Sequence, residues 1–262
     1  MIHLLQLGRV DYRTALELQH TLVELRKQKR IGDVLLLLEH PPVITMGRNA
    51  DPSNLLEPPE TLANRGVHLF ETNRGGDVTF HGPGQLVGYP IFDLRDFPSR
   101  IGAIEFVRRI EEVLIRTCGD LGILCERIPG LTGVWTQTVT PKKIAAIGVH
   151  ISRAVTSHGF ALNISTDLDY FKLIVPCGIA DKAVTSIEQE LDRYTRQMPS
   201  FEQVANMASA NFGRVFHQQV LWCESLEVLL QSAPQLQSDP DDLPAKAPRE
   251  LDSLVGDDVH LA

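Results

Sequence analysis

The chain has 262 residues, 43% of them hydrophobic and 22% charged, which is enough for one sizeable core. Its formal net charge is −8 and its pI ≈ 5.6, which argues against nucleic acid as the main partner, because phosphate contacts need clustered Lys and Arg. A start without charge or cleavage site, and an apolar run (Val34–Leu38) far short of the ~20 residues that span a bilayer, give no sign of membrane or export and predict a cytoplasmic protein.

In chain order, Ile2 to Leu7 predicts a strand. Asp11 is a plausible N-cap, and Ala15, Leu18, Leu22 and Leu25 then recur at spacings of three and four, predicting a helix with one buried stripe. Asp33 to Glu39 predicts a short apolar strand ended by Pro41 and Pro42. A second helix is predicted from about Ala103 to Leu121, with Ala103, Val107, Ile110, Leu114, Cys118 and Leu121 on its inner face. A third covers Phe201 to Phe216, with Phe201, Val204, Ala208 and Val215 inward. Between them, Val134–Thr138, Ile144–Ser152 and Phe160–Ser165 carry the Ile, Val and Thr content of sheet. The expected class is mixed α/β.

Residues 1–231 show no break in composition and read as one domain. Residues 232–262 differ, holding four prolines and no aromatic residue. Their seven acidic and two basic side chains give −5 of the total, leaving −3 for the rest. Such a segment buries too little apolar surface to offset its ordering entropy, so it is expected to be a disordered tail.

Four segments have the composition of a site. Arg74–Gln85 concentrates Gly75, Gly76, Gly82 and Gly84 with Pro83 between charged and polar residues, yet matches no generic phosphate motif. Lys142 and Lys143 stand at the mouth of the small-residue stretch Ile144–Val149. They are either solvated strand ends or, for one of them, an ammonium placed over a pocket beside a thiolate. Ser157–Asn163 reads as a turn into a strand, with His158 structural or catalytic and small residues at Gly159 and Ala161. Ile174–Ala180 sets Cys177 between Pro176 and Gly178 in a turn, whereas Cys118 occupies a helical core position. Cys125 and Cys223 have no obvious activating neighbour, and no CxxC pair suggests zinc or a redox couple.

Together and in this order, these segments resemble the octanoyltransferases of lipoate synthesis. The matching stretches are RGGDVTFHGPGQL at 74–86, KIAAIG at 143–148, HGFALN at 158–163 and IVPCGI at 174–179, with Asp167, Phe171 and Thr185-Ser186-Ile187 in step. The resemblance covers roughly residues 2–220. Phe80 stands where tyrosine is common, which removes one hydroxyl. The resemblance implies a mixed sheet packed against helices, similar to the catalytic domains of biotin and lipoate ligases.

It also implies roles. Cys177 would be the nucleophile that takes an octanoyl group from octanoyl acyl carrier protein as a thioester, and Lys143, rather than Lys142, would lower its pKa. The loop Arg74, Gly75, Gly76, Asp77, Val78, Thr79, Phe80 and His81 would line the substrate pocket with Ala146, Ile147, Gly148, Gly159, Phe160 and Ala161. The acceptors would be lipoyl domains of 2-oxoacid dehydrogenase complexes and the glycine cleavage H protein. No metal or cofactor is implied, since thioester exchange is nearly level in energy and amide formation runs downhill without ATP. Backbone N–H groups at Gly178 or in the 75–76 loop are candidates for stabilising the oxyanion. A monomer is expected, because no surplus apolar stripe appears.

Three rivals make different predictions. An ATP-dependent lipoate or biotin ligase would activate a free acid and would not need Cys177. A thiol hydrolase with a Cys177–His158 pair would release free octanoate faster than it transfers it. A non-catalytic binder of acylated carriers would never acquire an acyl adduct.

Overall fold

The computed structural model describes residues 1–175, 183–192 and 197–231. Cys177, Gly178 and the 232–262 tail lie outside the described residues.

The chain begins with β1 (Ile2–Arg9), α1 (Tyr12–Lys27), β2 (Asp33–Glu39) and β3 (Val43–Met46). A 3-10 turn at Pro52–Asn54 leads to α2 (Pro59–Asn64), β4 (His68–Glu71), β5 (Val78–His81) and β6 (Gln85–Ile91). Next come α3 (Ala103–Asp120), β7 (Cys125–Ile128), β8 (Leu131–Thr136), β9 (Lys143–Ser152) and β10 (Val155–Asn163). After a second 3-10 turn at Leu168–Leu173 lie α4 (Ile187–Asp192), α5 (Phe201–Phe216), β11 (Val220–Trp222) and α6 (Leu226–Gln231). Among the described residues, no helix is long and apolar enough to cross a membrane.

Eight strands form the main sheet in the order β11-β1-β2-β6-β10-β9-β8-β7. β1 runs parallel to β2 and β11, and the remaining neighbours are antiparallel, so the sheet is mixed. β2 shows why an apolar run belongs at its centre: Leu35 and Leu37 pack towards α3 and α5, while Val34, Leu36 and Leu38 pack towards α1. With both faces covered, alternation disappears from the sequence. A second sheet, β4-β3-β5, has its own small core of Ile44, Leu62, Val78, Phe80, Phe171 and Ile174.

Helix α1 starts where its cap residue dictates. One Asp11 carboxylate oxygen accepts the backbone N–H of Arg13 (2.8 Å) and Thr14 (3.4 Å), two of the donors a helix start leaves unpaired. Two predicted faces shift in detail. In α3, Ala103 is exposed and Val107 half-buried, and the inner face runs through Phe106, Ile110, Val113, Leu114 and Cys118. In α5, Phe212 and Phe216 join Val204 and Ala208 in the core, their rings stacked at 5.5 Å.

The β9–β10 hairpin sets up everything that follows. Arg153 and Ala154, at its tip, have φ of 51° and 67°, the left-handed pair that a tight two-residue hairpin requires. Register then opposes Ala146 to Ala161 and Gly148 to Gly159. Ile147, Val149 and Ile151 pack towards α3, so strand alternation turns Ala146, Gly148 and His150 to the opposite face.

Candidate active site

On that opposite face lies a pocket with about 460 Å3 of empty space, its mouth included. Ala146, Gly148, Gly159 and Ala161 form its floor, with Ile147 and Phe160 contributing. Arg74, Gly76, Asp77, Thr79 and His81 form one wall, and Tyr12, Tyr89 and His158 complete it. The floor is low because its two cross-strand pairs are Ala–Ala and Gly–Gly.

Of the residues that the sequence predicted to line the pocket, three stand elsewhere. Val78 and Phe80 alternate onto the other face of β5, into the core of the small sheet, where Phe80 stacks on Tyr170 at 4.7 Å. Gly75 lies beyond the lining, and its backbone N–H is donated to the Val149 carbonyl (2.9 Å). That N–H is therefore committed to the sheet and is not the oxyanion donor envisaged from sequence.

Arg74 holds the loop together. Its buried guanidinium donates to the carbonyls of Thr45 (2.6 Å), Asp77 (2.6 Å) and Gly75 (3.1 Å) and to Thr45 Oγ1 (3.1 Å). Asp77 ties the same loop outward: its carboxylate accepts from Asp51 N (3.2 Å) and Asn54 Nδ2 (2.5 Å). Asn54 in turn accepts the N–H of Val175 (2.7 Å), two residues before Cys177.

The pocket's other polar groups are neutral. Burial is the main cause in each case: it lowers His40 to about 4 and His81 and His158 to about 3, with the Arg74 charge adding to the last two. Burial also pushes the Tyr12 hydroxyl up to about 12 and Tyr89 well above its usual range. Hydrogen bonds set the tautomers. His40 donates from Nδ1 to the Val10 carbonyl and accepts the Tyr89 hydroxyl at Nε2, both at 2.7 Å. His81 donates from Nδ1 to Gln85 Oε1 (2.8 Å), and His158 from Nε2 to Asn73 Oδ1 (2.7 Å). Apart from Arg74 and Asp77 in its wall, which are tied up in loop hydrogen bonds, the site is lined by neutral groups, and that suits an apolar chain.

This neutrality has a measurable consequence. The folded state binds protons at these imidazoles less readily than the unfolded chain, whose histidines titrate near 6.5. Their contribution is complete above pH 6.5 and is lost as pH falls towards 4 and 3. Three such groups remove at most about 4 kcal/mol per pH unit. Urea midpoints between pH 7 and 4.5 are expected to drop steeply, and a flat curve would mean that these imidazoles charge inside the fold.

Lys143 opens β9 beside this pocket. A smaller cavity contains Lys143, Ala145, Gln85, Asn163, Phe171 and Val184, and shares Thr79, Ala146 and Ala161 with the larger one. These three residues line both, so the two cavities adjoin. The Lys143 side chain is buried with Nζ over the Trp135 ring, 4.9 Å from its centroid. Gly133 makes room for it: a Cβ there would lie 3.3 Å from Lys143 Cε and 2.7 Å from the Ala145 carbonyl, at a φ of 127°. Lys142 is half-exposed at the strand's threshold.

The backbone around Lys143 receives the chain as it returns after residue 182. Lys143 N–H donates to Ala183 O, and Thr185 N–H donates to Lys143 O, both at 2.9 Å. Thr185 O also accepts Asn163 Nδ2 (2.9 Å), and Asn163 Oδ1 accepts Gln85 Nε2 (2.9 Å), so one buried chain of hydrogen bonds joins His81 to the Lys143 strand. Gln85 and Asn163 lay within the motifs, but only register and burial give them this task. Trp135, Tyr12, Tyr89 and His40 carried no signal in sequence, since an aromatic residue in a strand or helix reads as core.

The described cysteines are poor nucleophiles or lie away from this site. Cys118 is fully buried, and its contact with Cys125, together with burial, holds its thiol well above the usual range. Burial likewise raises Cys223.

Residues 11–213 match the family model described as the lipoyl protein ligase A/B catalytic domain. An octanoyltransferase of Koribacter versatilis is 63% identical over 261 residues, 100% of both chains. One from Acidobacterium capsulatum is 58% identical over 233 residues, 86% of this chain and 94% of that one. Among solved structures, a putative lipoate protein ligase from T. acidophilum with bound lipoic acid superposes with a TM-score of 0.65 at 16% identity, covering 88% of this chain and 93% of that one. A biotin protein ligase from Leishmania major superposes at 0.51 and 11% identity, covering 95% and 87%. At these identities the structural likeness is one of fold: a mixed sheet packed against helices.

Proposed function

From the premise that this chain belongs to the lipoyl protein ligase A/B catalytic-domain family and has close relatives named octanoyltransferase, we propose that it moves an octanoyl group from acyl carrier protein to a lipoyl-domain lysine through a thioester on Cys177. It is an acyltransferase of octanoyl transfer in lipoate biosynthesis and, as such, needs no ATP. Its acceptors are the lipoyl domains of 2-oxoacid dehydrogenase complexes and the glycine cleavage H protein, and it works in the cytoplasm as a monomer.

In the first step the Cys177 thiolate attacks the donor's thioester carbonyl. The carrier's thiolate leaves and takes a proton from the Lys143 ammonium, and the octanoyl group remains on Sγ. In the second step the acceptor lysine's amine attacks that new thioester. Cys177 leaves as the thiolate, an amide forms, and the one proton the amine loses passes to a base. Lys143 serves both steps, stabilising the thiolate as a cation and accepting the amine's proton when neutral. The acyl chain occupies the pocket along its small-residue floor, Ala146–Gly148 and Gly159–Ala161.

One observation carries this reading: a buried lysine lines a small cavity that adjoins the pocket, and its own backbone anchors the chain just after the Cys177 segment. The buried or paired state of Cys118 and Cys223 points the same way.

The test is octanoyl transfer to an apo lipoyl domain from octanoyl acyl carrier protein without nucleotide. Transfer by the wild type and its loss in Cys177→Ala are expected. Transfer from free octanoate that requires ATP and survives Cys177→Ala would instead make the chain a ligase.

A further inference from the structure

We propose that His158 is the residue that sets acyl-chain length, its ring closing the far end of the pocket. This rests on the reading that the pocket takes the acyl chain.

The argument begins at Pro90. In the β6–β10 ladder Phe160 opposes Gly88, so His158 falls opposite Pro90 and Thr156 opposite Phe92. Thr156 N–H donates to Phe92 O (2.9 Å), which shows that even-numbered residues of β10 direct their N–H towards β6. Proline has no N–H to return. The Pro90 carbonyl is taken instead by Thr156 Oγ1 (2.6 Å). The His158 N–H leaves the ladder altogether and donates to Gln19 Oε1 on α1 (2.8 Å).

With its ladder bond gone, His158 adopts φ 54°, a left-handed conformation for a non-glycine residue in the middle of a strand. Histidine tolerates this region better than most residues, but a surrounding structure must hold it there. The consequence is directional. Phe160 and Leu162, its even-numbered companions, belong to the core on the α3 side. His158 is turned the other way, lining the pocket, near the Tyr89 ring at 6.4 Å and bonded to Asn73. A side chain due on one face of the sheet has been brought to the other.

Its position matches the length of the substrate. Counted from the Ala146–Ala161 pair, where the pocket adjoins the Lys143 cavity, His158 faces Val149, three residues further. That is about 10 Å of strand. An extended eight-carbon chain reaches roughly 8 Å, taking the reach per bond of an extended polypeptide. The methyl end therefore meets the His158 ring, which is neutral and fixed through Asn73.

The test compares wild type and His158→Gly on acyl carrier protein donors of six, eight, ten and twelve carbons, read as kcat/KM. Glycine accepts the positive φ, so the variant removes the ring and keeps the backbone. The ratio of ten- or twelve-carbon to eight-carbon transfer is expected to rise at least tenfold. Should His158→Gly fail to fold, His158→Asn, which also suits this φ, gives the same comparison. An unchanged ratio, or an equal loss at every length, would overturn the proposal while leaving octanoyl transfer standing. Absence of transfer by the wild type from any donor would remove the functional reading and this proposal together.

Discussion

Lys143→Ala is expected to slow acylation of Cys177 at pH 7 by about 10²–10⁴, the range for loss of a positioned acid–base group. The side chain is buried in the small cavity that adjoins the pocket, and only a thiolate attacks. Without the cation, the pH dependence of acylation should move upward by about 1–3 units. Raising the pH should then recover much of the first step but not the second, which lacks its proton acceptor. The Trp135 contact that the substitution removes contributes about 0.5–2 kcal/mol to stability. The measurement is single-turnover acylation against pH, with thermal melts alongside. A profile at the wild-type position would exclude the lysine from thiol activation. Loss of fold rather than rate would make it a structural residue.

Gly159→Ala should have the second largest effect, this time on the fold. A Cβ there would lie 2.1 Å from Gly88 O and 2.6 Å from Pro90 Cδ. Both obstacles belong to the backbone or a rigid ring of β6, so relief requires parting two central strands. The expected cost is about 3 kcal/mol, the upper part of the range for overpacking, which lowers Tm by roughly 6–12 °C. Gly119→Ala is the control. It lies inside α3 with nothing within 4 Å of its Cβ position, so the same substitution should stabilise by up to about 1 kcal/mol. Equal melting of Gly159→Ala and wild type would show that the β6–β10 approach is looser than the structure has it.

How much of this was legible in sequence depended on whether local chemistry and tertiary environment agreed. β2 was predicted with its observed bounds, because burial on both faces leaves an unbroken apolar run between Asp33 and Pro41. α5 was too, with Ser200 and Gln203 forming a capping box at its start. β6 was missed. QLVGYPI contains a glycine and a proline that argue against a central strand, and each has a reason visible only in three dimensions. A Cβ on Gly88 would meet the Phe160 ring at 2.1 Å, and Pro90 faces His158, whose N–H goes to Gln19 instead.

The site divides in the same way. Ala146, Gly148, Gly159 and Ala161 stood in recognisable motifs, and register brings them to one cavity, with Lys143 lining the smaller one that adjoins it. Val78 and Phe80 share a motif with Thr79 and His81, but a strand's period of two sends them to the opposite face. Asn73 and Tyr89 were invisible, since their function depends on what opposes them across the pocket. His158 was open between structural and catalytic roles. Its buried, neutral ring, bonded to Asn73, is a wall of the pocket.

The central claim is the thioester on Cys177, and intact-protein mass spectrometry after mixing with octanoyl acyl carrier protein tests it most directly. Wild type should gain the mass of one octanoyl group, removable by hydroxylamine, and Cys177→Ala should gain none. Transfer to a lipoyl domain with no adduct on the wild type, or an adduct that persists in Cys177→Ala, would contradict the account.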